Sequence, residues 1–201
     1  MSNVQPIAPA QPEEEARLFP DLGSPRNQGT PGIRIRFTNF CDFDVDLFWL
    51  NQDKKACKYA TLGNKQYIDM RTYENHPWIA RRKFDGMKTL LDGQFVFLPK
   101  PVPPQVIVTK MCLIKPKQQN LQERAMRAIV KDFKMWQPHM HLLPVHLKTE
   151  VERIRATLIE YRDYICRSYT PGVIPAIPRF NETERFRELQ RIENERRARQ
   201  N

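Results

Sequence analysis

The chain has 201 residues, 40% of them hydrophobic, enough for one substantial core and a small second one. Its net charge of +10 is spread along the chain and thickens only at Arg81, Arg82 and Lys83 and at the lysines of 110–117, which argues against a dedicated nucleic-acid groove. No apolar run approaches the roughly 20 residues that cross a bilayer, the N-terminus lacks the apolar core of a secretory signal, and Cys41, Cys57, Cys112 and Cys166 show no CxxC or metal-type spacing, so the expectation is a soluble cytoplasmic and nuclear protein with reduced thiols.

Residues 1–30 combine Pro, Gln, Glu, Gly and Ser with few large apolar side chains, and the expectation there is a disordered arm. Period-two alternation begins at "IRIRF", where Ile33, Ile35 and Phe37 share one face and Arg34 and Arg36 the other. The pattern recurs in "DVDLFWL", "QYIDMRTY", "QFVFL" and "QVIVTKMCLI", separated by the turn-like "NQDKK", "GNK", "FDG" and "LDG". Short strands at this spacing, without helical periodicity between them, predict an antiparallel β-sandwich over 31–115. The proline-rich "PKPVPP" from Pro99 is expected at the surface, as a break between edge strands.

After "IKPKQQ" the period changes to that of a helix. Asn120 is placed as a cap with Glu123 at N3, and Leu121, Ala125, Ala128, Ile129, Phe133 and Trp136 then fall on one face of a helix over 120–136. A second stripe, Leu147, Val151, Ile154, Leu158 and Ile165, follows Pro144. "TPGVIPAIP" interrupts it, and Asn181 with Glu184 opens a charged C-terminal helix within 179–201. The fold class is therefore α+β: a sandwich, then a helical unit over 119–178 and a last helix. The helices are short for independent stability, so part of their apolar surface is expected to await a partner.

Chemistry-bearing patterns are sparse. No nucleophile elbow or other triad setting exists, and "HMH" at His139 and His141 lacks companion ligands, so neither a catalytic group nor a metal or other cofactor is expected. The densest cluster is "TYENHPW", together with Trp49 and Tyr59 upstream. Spacing alone leaves two readings open. Either Trp49 and Trp78 fill the core and His76 is a surface residue, or Thr72, Tyr73, His76 and Trp78 line an exposed aromatic pocket for a ring bearing one polar atom.

"FWLNQDKKACKYATL", "RTYENHPWIARRKFDGMKTLL" and "QFVFLP", continued by "NLQERAMRAIV" and "NETERFRELQRIENERRARQ", resemble the von Hippel-Lindau tumour suppressor family over most of 33–201. That family is the substrate receptor of a cullin-RING ubiquitin ligase, and it reads a hydroxyproline in hypoxia-inducible factor alpha. The resemblance implies that Trp49, Tyr59, Thr72, His76 and Trp78 form the pocket, with Arg71 and Tyr73 beside it. Thr72 stands where the family usually has serine, and Arg71 where it usually has histidine. It also implies that Leu121, Arg124, Ala125, Met126, Ala128 and Ile129 meet elongin C, which joins elongin B, and that Leu143, Pro144 and Leu147 meet a cullin with its RING subunit. Ala125 takes the place of the family's cysteine, and Arg167 to Phe180 is longer than the family's connection into the last helix. On this resemblance the chain is a non-enzymatic receptor; from the residues alone, a basic β-domain binding nucleic acid or a scaffold stays as the alternative.

Overall fold

A computed structural model of the chain describes residues 18–26, 31–101 and 109–168. Strands β1 (Ile33–Asn39), β2 (Val45–Leu50), β3 (Ala56–Leu62), β4 (Tyr67–Thr72), β5 (Trp78–Arg82), β6 (Thr89–Leu91) and β7 (Lys110–Pro116) make two sheets, of order β4-β1-β7-β6 and β3-β2-β5. The fold is α+β, a β-sandwich followed by helices. All pairings are antiparallel except β1 with β7, which run parallel, a correction to the wholly antiparallel expectation. These strands are more than 70 residues apart in the chain, ample for the crossover that a parallel pair requires.

The alternation of "IRIRF" is realised. Ile33, Ile35 and Phe37 point into a core shared with Val45, Leu47, Leu62, Trp78, Cys112 and Ile114, while Arg36 on the outer face forms a two-pronged ion pair with Asp69 of β4. Segments "ACKYATL" and "WIARR" are strands that the alternation did not mark, and "QFVFL" contributes only isolated bridges, Phe97 to Trp78 and Gln94 to Leu91. Phe97 is followed by Pro99 and Pro101, which supply no N–H to extend a ladder. Pro99 itself is buried, where a surface position was expected.

The three-stranded sheet is covered on both faces, which alternation had not suggested. Its second face carries Phe48, Leu50, Ile79 and the fully buried Asp46. Over it lie Leu18 and Phe19 and the far end of a long helix bearing Tyr161, Tyr164 and Ile165. The disordered arm expected over 1–30 is thus corrected for 18–26: Leu18 is 4% exposed and Ser24 donates to the Leu50 carbonyl at 2.5 Å.

The helices begin at α1 (Leu121–Lys131), with Asn120 accepting from the Glu123 N–H at 2.7 Å as the capping pattern requires. The single helix expected to Trp136 instead breaks at Asp132, whose φ of −109° and ψ of 37° are not helical; α2 (Phe133–Trp136) and a 3-10 turn (Gln137–Leu142) follow, with Pro138 at its start. Helix α3 (Val145–Ser168) runs 24 residues. Its first half packs Val151, Ile154 and Leu158 on Met126, Val130 and Met140, and its second half reaches the sheet. The expected C-terminal helix and the long connection from 169 lie outside the described residues. Among the described residues no helix is long and apolar enough to cross a membrane.

Candidate functional site

Strands β2 and β5 place Trp49 and Trp78 as cross-strand partners at the end of the three-stranded sheet. Beside them, β3 contains a bulge: Leu47 pairs with Ala60 and Phe48 with Lys58, so Tyr59 is the extra residue, turned out of the ladder. Its ring meets Trp78 edge-on, centroids 5.5 Å apart, and is 43% exposed. Across the sandwich, β4 ends at Thr72, and the following loop returns the chain to β5 through Tyr73, His76 and Pro77. Asn75 takes φ = 58° there, a conformation asparagine tolerates, and its N–H donates to the Pro99 carbonyl at 3.1 Å.

The loop brings the cluster together. His76, 6% exposed, stacks on Trp49 with centroids 5.6 Å apart and planes inclined by 16°, and Tyr73 leans on the same imidazole at 5.4 Å. Trp78 Nε1 donates to Thr72 Oγ1 at 2.9 Å, both residues being at most 3% exposed. Having accepted that bond, the threonine hydroxyl retains its own proton to donate. Trp49 Nε1 donates to Ser24 Oγ at 2.6 Å, so the 18–26 segment forms one edge of the site. Sequence reasoning missed Ser24, because a lone serine in a polar, proline-bearing stretch carries no periodic signal.

Burial holds the His76 imidazole below the usual histidine range, opposed by a hydrogen bond to the Pro25 carbonyl. At neutral pH the ring is therefore uncharged, with one donor and one acceptor nitrogen. A hydroxyl donor from Thr72 and a neutral imidazole, set among three large aromatic rings, suit a compact apolar ring with one hydroxyl. Trp78 belongs to the core and Trp49 packs against it only partly buried, while His76 at 6% exposed is not the surface residue of the first reading and Thr72 and Trp78, at 2% and 3%, are not the exposed lining of the second.

Arg71 points to the outer face of β4 opposite Arg34, with its side chain lying across Gly32, where an added Cβ would collide with the Arg71 side chain. It is exposed, next to the cluster rather than inside it. Strand β4, which ends at Thr72, is a sheet edge.

The residues expected to meet adaptors divide by face. Leu121 is 83% exposed, Arg124, Ala125 and Ala128 are exposed and Ile129 half-buried, so an apolar strip of α1 faces outward, close in sequence to exposed Met135, Leu142 and Val145. Met126, in contrast, is 6% exposed within the helical core. Pro144 is exposed, while Leu143 and Leu147 pack partly against that core. The basic run behind the nucleic-acid alternative is largely engaged in structure: Arg81 is 3% exposed, Arg82 pairs with Asp85, and Lys83 with Asp44 at 3.1 Å.

No family model matches the chain. Among curated proteins it is 25% identical over 73 residues to the protein Vhl of Drosophila melanogaster. The aligned part covers 36% of this chain and 41% of that relative, so the chain spans about two-fifths of the relative's length. This is a partial, von Hippel-Lindau-like relationship.

Proposed function

We propose that the chain is the substrate-recognition subunit of an elongin BC–cullin ubiquitin ligase, binding prolyl-hydroxylated hypoxia-inducible factor alpha and directing its ubiquitination and degradation. The observation that carries this reading is the cluster of Trp49, Tyr59 and Trp78 around the Thr72 hydroxyl and the neutral His76 ring. The partial likeness to Drosophila Vhl supports it.

In this reading the aromatic rings pack the pyrrolidine ring of a hydroxyproline. Thr72 donates to its 4-hydroxyl, which in turn donates to the imidazole. An unhydroxylated proline leaves both protein groups without their partner, at a cost that discriminates. The flanking peptide adds along the exposed edge of β4, gaining main-chain hydrogen bonds, with Arg71 beside it for an acidic side chain. The outward strip of α1, centred on Leu121 and Ala125, docks into a groove of elongin C, and the Leu143–Leu147 stretch meets the cullin.

The chain contributes no catalytic group; ubiquitin transfer belongs to the RING subunit and its conjugating enzyme. The working compartments are cytoplasm and nucleus. Reconstitution tests the assembly: the chain should co-purify with elongins B and C, and with a cullin and RING subunit should promote ubiquitin transfer to a hydroxylated substrate. Failure to bind the elongins, with the chain folded, overturns the ligase reading.

A further inference from the structure

An open groove runs between the turn that joins β5 to β6 and the helices. It has a volume of about 430 Å³, and its apolar lining comes from Phe84 of the turn, Val130 and Phe133 of α1 and α2, and Leu158 and Ile159 of α3. None of its lining residues is among those assigned above to the hydroxyproline cluster, elongin C or the cullin. Single exposed apolar side chains are ordinary, but Phe84, 49% exposed, and Ile159, 42% exposed, adjoin here over the buried Val130 and Leu158. The turn that presents Phe84 is fixed. Asp85 is held by Arg82 and, at 2.9 Å, by Arg127 of α1, and Gly86 takes φ = 69° with the Tyr161 ring where a Cβ would sit. Phe84 is therefore positioned for a ligand at little ordering cost.

The rim is cationic. Lys131, Lys134, Arg155 and Arg162 line the groove against one carboxylate, Asp132, and among the described residues none of these five forms an ion pair. The neighbouring carboxylates of α3 do not neutralise it: Glu152 and Asp163 are exposed and form no ion pair with these arginines, and Glu160 acts on Arg81. All four cations are exposed and hydrated, so they carry no burial cost and instead set a local positive field that salt screens. Two of the guanidinium groups lie over rings of the same groove, Arg155 at 4.3 Å from the Phe133 centroid and Arg162 at 5.5 Å from that of Phe84. Stacking holds them beside the apolar floor and leaves their N–H donors for a carboxylate. They stand two turns apart on α3, about 10 Å, the length of about three residues of extended chain.

We infer that this groove docks an acidic, amphipathic peptide segment of a partner protein, with a large apolar side chain set between Phe84 and Ile159 and carboxylates on Arg155 and Arg162. Burial of the apolar anchor supplies the affinity, and the cations select the acidic flanks and steer their approach. A second copy of this chain, with its net charge of +10, has the wrong overall sign for the rim. The inference stands apart from the hydroxyproline reading, which uses none of these residues.

The test is fluorescence anisotropy of the full chain with a labelled peptide in which leucine and phenylalanine are flanked on each side by paired glutamates. Saturable binding that weakens as sodium chloride rises is expected, with little binding of the same peptide carrying glutamines. Affinity should fall about tenfold or more in Arg155→Gln/Arg162→Gln and in Phe84→Ala, exposed positions where the circular dichroism spectrum should stay unchanged. Ile159→Ala reads the same anchor from α3 if Phe84→Ala disturbs the turn. Undiminished binding by these variants, or equal binding of the glutamine peptide, overturns the inference. Binding that appears only when Glu13, Glu14 and Glu15 are replaced by glutamine also overturns it, since the chain's own acidic run would then be the occupant. So does Phe84-dependent sedimentation with phosphatidylserine vesicles in place of peptide binding, which would make the groove a membrane contact.

Discussion

Replacing Tyr161 by Phe removes one oxygen from the junction between helix and sheet. The Tyr161 hydroxyl donates to Asp46 Oδ2 at 2.6 Å, across 115 positions of sequence, and Asp46 is wholly buried. The other partners of that carboxylate, Thr61 Oγ1 at 2.6 Å and Lys58 Nζ at 2.8 Å, both meet Oδ1. The variant therefore leaves Oδ2 short of its donor with the ring packing intact, a loss of about 1.5–3 kcal/mol for a hydrogen bond to a charged group. In a chain of this size that lowers the melting temperature by about 3–12 °C. Urea unfolding followed by tryptophan fluorescence measures it directly.

The same bond has a pH signature. Burial first, then the Asp46 charge, push the Tyr161 hydroxyl well above the ordinary tyrosine range, so the folded chain keeps a proton that the unfolded chain releases above about pH 10. Its contribution is fully present below that pH and lost above it, at about 1.4 kcal/mol per pH unit. Tyr161→Phe should flatten this alkaline slope by one proton. A change below about 0.5 kcal/mol with an unaltered slope would refute the reasoning, because Asp46 would then be compensated without the helix.

Thr72→Val should strand the buried Trp78 Nε1–H and cost about 1–3 kcal/mol in urea unfolding, whereas Thr72→Ser keeps the acceptor and should stay within about 0.5 kcal/mol. Ser24→Ala removes the partner of Trp49 Nε1 and a bond to the Leu50 carbonyl, so a loss of about 1 kcal/mol is expected, with a red-shifted tryptophan emission as the cluster loosens. Leu121→Ala should leave stability within about 0.5 kcal/mol while weakening elongin C capture, and Met126→Ala, in the helical core, should cost about 2–5 kcal/mol. Equal destabilisation by the two would contradict the assignment of faces on α1.

The strands with one face to the core were legible because alternation reports a single buried face, as in Ile33, Ile35 and Phe37. The segments "ACKYATL" and "WIARR" were not. One holds a bulge, and the other is buried along Trp78–Arg81 because α3 covers its second face. Nothing local announces that α3 reaches the sheet, since Tyr161 and Tyr164 act through partners more than 100 positions away. The helix break at Asp132 was hidden by an apolar stripe that continues through Phe133. For the site, the residue types of "TYENHPW" were readable. Their convergence was not, because it depends on cross-strand pairing of Trp49 with Trp78 and on Ser24 from the N-terminal segment.

The central claim rests on one oxygen atom of a ligand, and the most direct measurement is the affinity of the chain, co-expressed with elongins B and C, for matched hydroxyprolyl and prolyl peptides from a hypoxia-inducible factor alpha degradation segment. The account predicts a preference for the hydroxylated peptide of roughly 10³-fold, about 4 kcal/mol, that collapses in His76→Ala while the protein stays folded. Equal affinity for the two peptides, or a preference that survives His76→Ala, would contradict it.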